Sequence, residues 1–144
     1  MGSLEIRIAE GRSELEVVGS LMLQLRSGYD LDGMLSQIEA QQERGYRVAY
    51  AEEGGRAVCA AGFAIKTGLA WGKHMYIEDL VTDSERRSSG MGRVMMDWLK
   101  SHAREHGCEQ IHLDSSVRRF PAHRFYLREG FKIASHHFSI VDLR

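Results

Sequence analysis

Apolar positions along the chain recur at two different spacings, and the changes between them outline the elements. Leu4–Ala9 alternates and predicts an opening strand. Val17, Leu21, Met22 and Leu25 then fall at helical spacing, giving a first helix that fades by Gly28. Leu31, Met34, Leu35 and Ile38 predict a second, short helix over Leu31–Gln42, with Asp30 placed to cap it. The period next shortens: Arg47–Ala51 and Ala57–Ile65 read as strands, and Glu53-Gly54-Gly55 between them is a hairpin turn. A break at Thr67-Gly68 leads to a further strand from about Trp71 to Val81. Helical spacing returns at Met91, Val94, Met95, Trp98, Leu99 and Ala103 and stops at His106-Gly107. Ile111–Leu113 is a short strand, Pro121–Arg128 a helix, and Phe131–Ala134 with Phe138–Val141 two closing strands. The expected order is β-α-α-β-β-β-α-β-α-β-β. That is an α/β fold whose mostly antiparallel sheet holds a parallel pair where a helix joins two strands.

Composition narrows the class without naming it. The 144 residues suit one domain, and no repeat or linker divides them, so residues 1–144 read as a single domain. A formal net charge of −1 excludes a nucleic-acid or membrane-surface binder driven by bulk electrostatics. No apolar run approaches the ~20 residues of a membrane span, and the start of the chain lacks the pattern of a secretion signal. Cys59 and Cys108 are too few for a disulfide framework, so a reducing cytoplasm is expected. Fifteen glycines against one proline leave many backbone positions whose reason must be local.

The most informative of these follow the strand that ends near Val81. Asp83-Ser84-Glu85-Arg86-Arg87-Ser88-Ser89-Gly90-Met91-Gly92-Arg93 carries the chain from that strand into the long helix. A helix N-terminus offers unpaired N–H groups and the positive end of its dipole to an anion. Gly90 and Gly92 allow close approach, and Arg87 can add a charge-assisted fork. Neither the dinucleotide fingerprint nor the lysine-bearing P-loop is present. Arg87-x-x-Gly90-x-Gly92 instead resembles the pyrophosphate-binding signature of the GNAT superfamily of acetyl-CoA-dependent N-acetyltransferases. Upstream, Ile77-Glu78-Asp79-Leu80-Val81 looks like that family's fourth strand. Downstream, Ala122-His123-Arg124-Phe125-Tyr126-Leu127-Arg128-Glu129-Gly130-Phe131 is similar to its A-x-x-F-Y-x-x-x-G-F segment. The matching stretch runs from about Tyr76 to Phe131.

The resemblance implies a sheet whose fourth and fifth strands splay around acetyl-CoA. Leu80, Val81 and Thr82 would offer backbone to its pantetheine arm. Arg87, Ser88, Ser89, Gly90, Met91 and Gly92 would wrap the pyrophosphate, with Arg86 and Arg93 nearby and His123 toward the nucleotide. Ser88 stands where the family very often has glycine, and Arg119 where many relatives have asparagine. Tyr126 falls at the general acid that protonates the departing thiolate, a role a phenol of pKa ~10 can fill beside a thiol of ~8.5. Glu78 falls at the position that serves some members as base, often through water. A base has real work here: an alkyl ammonium of pKa ~10.4 leaves only about one amine in 10³ free at pH 7, a handicap of roughly 4–5 kcal/mol. On a regular strand Glu78 and its neighbour Asp79 face opposite sides.

Tyr29, Asp30 and Asp32, between the first two helices, and Trp71, His74 and Tyr76, around the start of the fourth strand, are candidates for the acceptor side. The reading is direct acetyl transfer in a ternary complex to an amine of a small molecule or peptide, without metal, nucleic acid or membrane. A homodimer through Phe131–Val141 is expected from the habit of the fold. A silent acyl-CoA-binding or regulatory domain is the alternative, separable by a Tyr126 substitution. His102, His106 and Cys108 have a spacing that can hold zinc, but no fourth ligand is evident and a solvated helix face explains them better.

Overall fold

A computed structural model gives the fold and describes residues 4–86 and 89–144. The chain forms two compact units, Met1–Leu113 and Asp114–Arg144. The first runs β1 (Arg7–Ile8), α1 (Arg12–Leu25), α2 (Leu31–Gln42), β2 (Tyr46–Glu53), β3 (Arg56–Gly68), β4 (Gly72–Thr82), a single turn of 3-10 helix (Ser84–Arg86), α3 (Met91–Glu105) and β5 (Gln110–Leu113). The five strands lie side by side in chain order. Neighbours from β1 to β4 are antiparallel, and β4 and β5 are parallel. Parallel pairing needs a crossover long enough to return the chain, and α3 supplies it. The α2 helix starts where Asp30 accepts the Gly33 N–H on its Oδ1 at 2.7 Å, the cap expected from the sequence.

Each face of the sheet has its own helices. Tyr46, Val48, Tyr50, Ala60 and Val81 pack with Leu15, Val18, Leu21, Met22, Met34, Leu35 and Ile38 of α1 and α2 in one buried cluster. On the opposite face Phe63, paired in register with Ile77, meets Trp98 and His102 of α3 edge-on, with ring centroids 6.2 and 5.4 Å away. The buried residues of α3 are Met91, Met95, Met96, Leu99 and Ala103, the stripe its 3.6-residue period predicts.

The second unit holds α4 (Phe120–Arg128), opened by Pro121 in its first turn. The two closing strands expected at Phe131–Ala134 and Phe138–Val141 are not formed, since residues 131–144 carry no regular secondary structure. Ser135-His136-His137 between them contains no glycine, asparagine or aspartate, so nothing sets the positive-φ turn that would register a tight hairpin. Two strands alone are marginal in water, and an alternating pattern makes a strand only where an edge receives it. No helix among the described residues is long and apolar enough to cross a membrane.

Candidate functional site

The site begins where β4 loses its regularity. β4 pairs with β3 along its whole length but with β5 only from His74 to Ile77, where β5 ends, so among the described residues the backbone from Glu78 to Thr82 has a strand on one side alone. At that point the register with β3 also shifts: Phe63 pairs with Ile77, yet Gly62 pairs with Asp79, which makes Glu78 the extra residue of a β-bulge. Strict alternation therefore fails at Glu78, against the expectation of a regular strand. Asp79 shares a row with Gly62 and Val48, on the face that α1 and α2 cover. Its carboxylate is fully engaged. Tyr46 donates its hydroxyl to Oδ2 at 2.5 Å, and Arg26 donates Nε to Oδ1 at 3.0 Å and sends Nη2 to within 2.9 Å of the same oxygen. Glu78 is exposed, and its carboxylate has no hydrogen-bond partner among the described residues. Of the two acids, Glu78 is thus the one left available to chemistry.

The loop after β4 is tied down by a residue the sequence reading passed over. Asp83 is buried, accepts from Gln24 Nε2 and the Glu85 N–H on Oδ1 (3.3 Å each), and accepts from Arg56 Nη2 on Oδ2 at 3.2 Å. Gln24 Oε1 in turn accepts the Ser84 N–H at 3.2 Å. The Gln24 bond, followed by the Glu85 N–H, holds the Asp83 carboxyl below its ordinary range. A depressed carboxyl stabilises the fold above its ordinary pKa, and that contribution is lost as pH falls through the folded value. Asp83→Asn is expected to lower the melting temperature by a few degrees at pH 7, the gap closing as pH falls below the ordinary carboxylate range in thermal melts across pH.

Past this anchor, Ser89 N–H donates to Arg86 O at 3.2 Å, and Gly90 takes φ of 86° as the residue before α3. That left-handed conformation costs an L side chain roughly 1–2 kcal/mol and explains the glycine. Met91 turns its side chain into the core while Arg93 is exposed at the mouth of the helix N-terminus, with Gly92 between them. Arg86, expected near the phosphates, is ion-paired with Glu53 at the β2–β3 hairpin. Arg87 and Ser88 lie outside the described residues. Leu80 and Thr82 are half-buried and Val81 buried on the stretch of β4 that β5 leaves open.

On the α1–α2 face, register lines up Tyr46, Ala64, Tyr76 and His112 across four strands. Trp71 stacks on His112 (centroids 3.5 Å apart, planes 11° off parallel) and lies 6.3 Å from Tyr76. His74 meets Trp71 edge-on at 5.1 Å and donates Nδ1–H to Gly72 O at 2.9 Å. Lys66 Nζ stands 5.6 Å from the Tyr76 ring centre. Trp71, named together with His74 and Tyr76 from the sequence, thus meets both of their rings, and His112 joins them at a place that follows only from the β4–β5 register. Tyr29 and Asp30 stand in the turn between α1 and α2, Tyr29 exposed and Asp30 occupied on one oxygen as the helix cap.

In the second unit, Tyr126 of α4 is half-buried, with Phe125 and Phe131 edge-on at 5.5 and 5.8 Å. The Phe131 N–H closes on Tyr126 O at 3.0 Å, fixing the turn after the helix. Burial pushes the Tyr126 phenol up, against a smaller opposing pull from Arg119. His123 donates Nε2–H to Ser116 O at 2.7 Å, bracing the turn that leads into α4. Elsewhere, His102 stacks on Trp98 at 4.7 Å and His106 Nδ1 bonds back to His102 O at 2.9 Å, a helix-end arrangement.

An open mixed sheet whose parallel pair is joined by the glycine-led helix α3 gives the chain an acetyltransferase fold. The model of the Acetyltransferase (GNAT) family matches residues 15–131. The chain is 34% identical over 122 residues to the uncharacterized N-acetyltransferase YhdJ of Bacillus subtilis, covering 82% of this chain and 84% of that protein. It is 30% identical over 135 residues to the glucosamine 6-phosphate N-acetyltransferase of Trypanosoma brucei brucei, covering 90% and 89%. The aminoglycoside N-acetyltransferase AAC(6')-Iy, solved with CoA, superposes with a TM-score of 0.82 over 99% of this chain and 98% of its own, and at 17% identity it shares the fold. The protein belongs to the acetyltransferase (GNAT) family.

Proposed function

We propose that the protein moves the acetyl group of acetyl-CoA to a primary amine of a small molecule, by direct attack in a ternary complex. The observation that carries this reading is that β4 runs on from Glu78 to Thr82 past the end of β5, which stops at Leu113 opposite Ile77, shortly before the glycine-led N-terminus of α3. An extended pantetheine arm would pair with the free backbone of Leu80, Val81 and Thr82, and its pyrophosphate would meet the loop from Arg87 through Ser88, Ser89, Gly90 and Met91 to Gly92 and Arg93. His123 would face the nucleotide end. The amine nitrogen attacks the thioester carbonyl, the N–C bond forms and the C–S bond breaks. Glu78 takes the ammonium proton, directly or through one water, Tyr126 gives its phenolic proton to the CoA thiolate, and the second proton that the nitrogen sheds as the amide forms restores the phenol through water. Trp71 and Tyr76 form the acceptor wall, with Tyr29 and Asp30 on the loop above the first helix pair. A relative named for an amino sugar phosphate supports a small-molecule acceptor over a protein one. Free thiols at Cys59 and Cys108 suit a reducing cytoplasm. Residues 1–144 act as one catalytic domain, and the apolar positions of Phe131–Val141 serve a homodimer.

The test is an acetyl-CoA turnover screen against glucosamine 6-phosphate, aminoglycosides, polyamines and amino acids, with calorimetry on acetyl-CoA alone. Acetyl-CoA should bind and at least one amine should be acetylated; no binding heat overturns the reading. With the best acceptor, Glu78→Gln is expected to reduce kcat by about 10²-fold at pH 7, the range general-base removal commonly costs.

A further inference from the structure

β3 carries a glycine in its interior, a position where glycine weakens a strand unless another group must come close. At Gly62 a Cβ would stand 1.7 Å from the Tyr46 hydroxyl oxygen, 2.4 Å from its Cζ and 2.8 Å from Asp79 Oδ2. The missing side chain is the passage through which Tyr46, on β2, reaches across β3 to the carboxylate of Asp79 on β4. Tyr46 is buried, and burial together with the facing carboxylate pushes its phenol well above the usual tyrosine range, so it is a permanent donor. From the other side Arg26, the C-cap just past α1, holds Asp79 Oδ1 and also donates Nη2 to the Glu78 carbonyl at 3.0 Å. Both residues of the bulge are therefore held, Asp79 through its side chain and Glu78 through its backbone carbonyl.

We infer that Tyr46 and Arg26, with Gly62 making the room, are positioning residues that lock the β4 bulge so that Glu78 is held toward the acceptor. The inference rests on the reading of Glu78 as the base. A bulge leaves its extra residue unpaired in the ladder, and such a residue keeps one orientation only if something besides the ladder fixes it. The lock supplies two charge-assisted contacts from Arg26 and one short phenol–carboxylate bond. It also explains why two adjacent acids behave differently: Asp79 is spent on the lock, which leaves Glu78 free. Arg26 directly precedes the Ser27-Gly28-Tyr29-Asp30 turn, so the same contact fixes the start of that turn against the bulge.

The experiment compares Tyr46→Phe and Arg26→Gln with the unaltered chain. Three readouts are taken: kcat with the best amine of the screen, the acetyl-CoA dissociation constant, and amide hydrogen exchange at Glu78, Asp79 and Leu80. Tyr46→Phe keeps the ring and Arg26→Gln alters a half-exposed surface position, so a fold lost in one leaves the other to report. The lock predicts a 10- to 100-fold fall in kcat, an acetyl-CoA constant within twofold, and at least tenfold faster exchange confined to those amides. A kcat within twofold, or acetyl-CoA affinity falling in parallel with kcat, overturns it. Should no amine be acetylated by the unaltered chain, the enzyme reading has failed. Exchange then decides the lock alone: faster exchange at the bulge supports it and unchanged exchange overturns it.

Discussion

Tyr126→Phe is expected to lower kcat about 100-fold while leaving the acetyl-CoA dissociation constant within twofold. The substitution removes one hydroxyl and keeps the ring between Phe125 and Phe131, so packing of the turn after α4 survives. What it removes is the donor to a sulfur that carries negative charge only once the C–S bond has broken. An interaction made in the transition state and not in the ground state appears in kcat, and ~100-fold corresponds to about 2.7 kcal/mol. The raised phenol sharpens the expectation with pH. A proton donor works while protonated, so its contribution should persist through neutral pH and fail only above the ordinary tyrosine value of ~10. Its linkage to stability has the same sign: a raised folded pKa contributes stability that is complete below the unfolded value and is lost as pH rises through the folded one. Steady-state kinetics and calorimetry on the variant read both numbers. Retained kcat would remove Tyr126 from the chemistry and favour a domain that binds acyl-CoA without turnover.

Periodicity was enough for elements whose signal is local. Leu31–Gln42 carries a cap, an apolar stripe and no competing period, and α2 has those bounds. The strand–helix–strand order from β4 through α3 to β5 announced the parallel pair for the same reason. The bulge at Glu78 was not legible, because it is a one-residue mismatch between β3 and β4 and exists only once the two strands are in register. What depends on that register stayed hidden with it, namely the reach of Tyr46 to Asp79 and the grip of Arg26, and the arrival of His112 beside Trp71 was hidden in the same way by the β4–β5 register. A signal was nevertheless present. Gly62 interrupts a run of buried Ala, Cys and Phe in which no turn is possible, and such a glycine marks close approach by something else. Asp83 could have been found in a similar way, as an acid between a strand end and the loop proposed to bind an anion, where a free carboxylate would repel the ligand unless turned inward. The missing closing strands show the opposite error, since a period of two reports that a segment is able to be a strand and not that an edge is there to take it.

The largest loss of stability is expected from Phe63→Ala. Phe63 is 1% exposed and occupies the centre of the face between β3 and α3, touching Trp98 and His102 edge-on. Truncation removes the ring and leaves a void that rigid strands on one side and a packed helix on the other cannot close. Such changes cost about 3–5 kcal/mol. For a chain of this size each kilocalorie moves the melting temperature by roughly 3–4 °C, so a fall of about 10–15 °C is expected in a thermal melt. The functional consequence follows from what α3 does. Its N-terminus after Gly90 is the proposed anion site, and its direction is set by the contacts of Phe63, Met95, Met96 and Leu99 beneath it. A helix free to tilt presents its N–H groups poorly, and acetyl-CoA affinity should weaken several-fold even at temperatures where the variant is folded. Phe63→Leu, which refills most of the void, should recover most of both. Equal affinity in Phe63→Ala at a much lower melting temperature would show that the loop, anchored by Asp83, holds the anion site without help from the helix it opens.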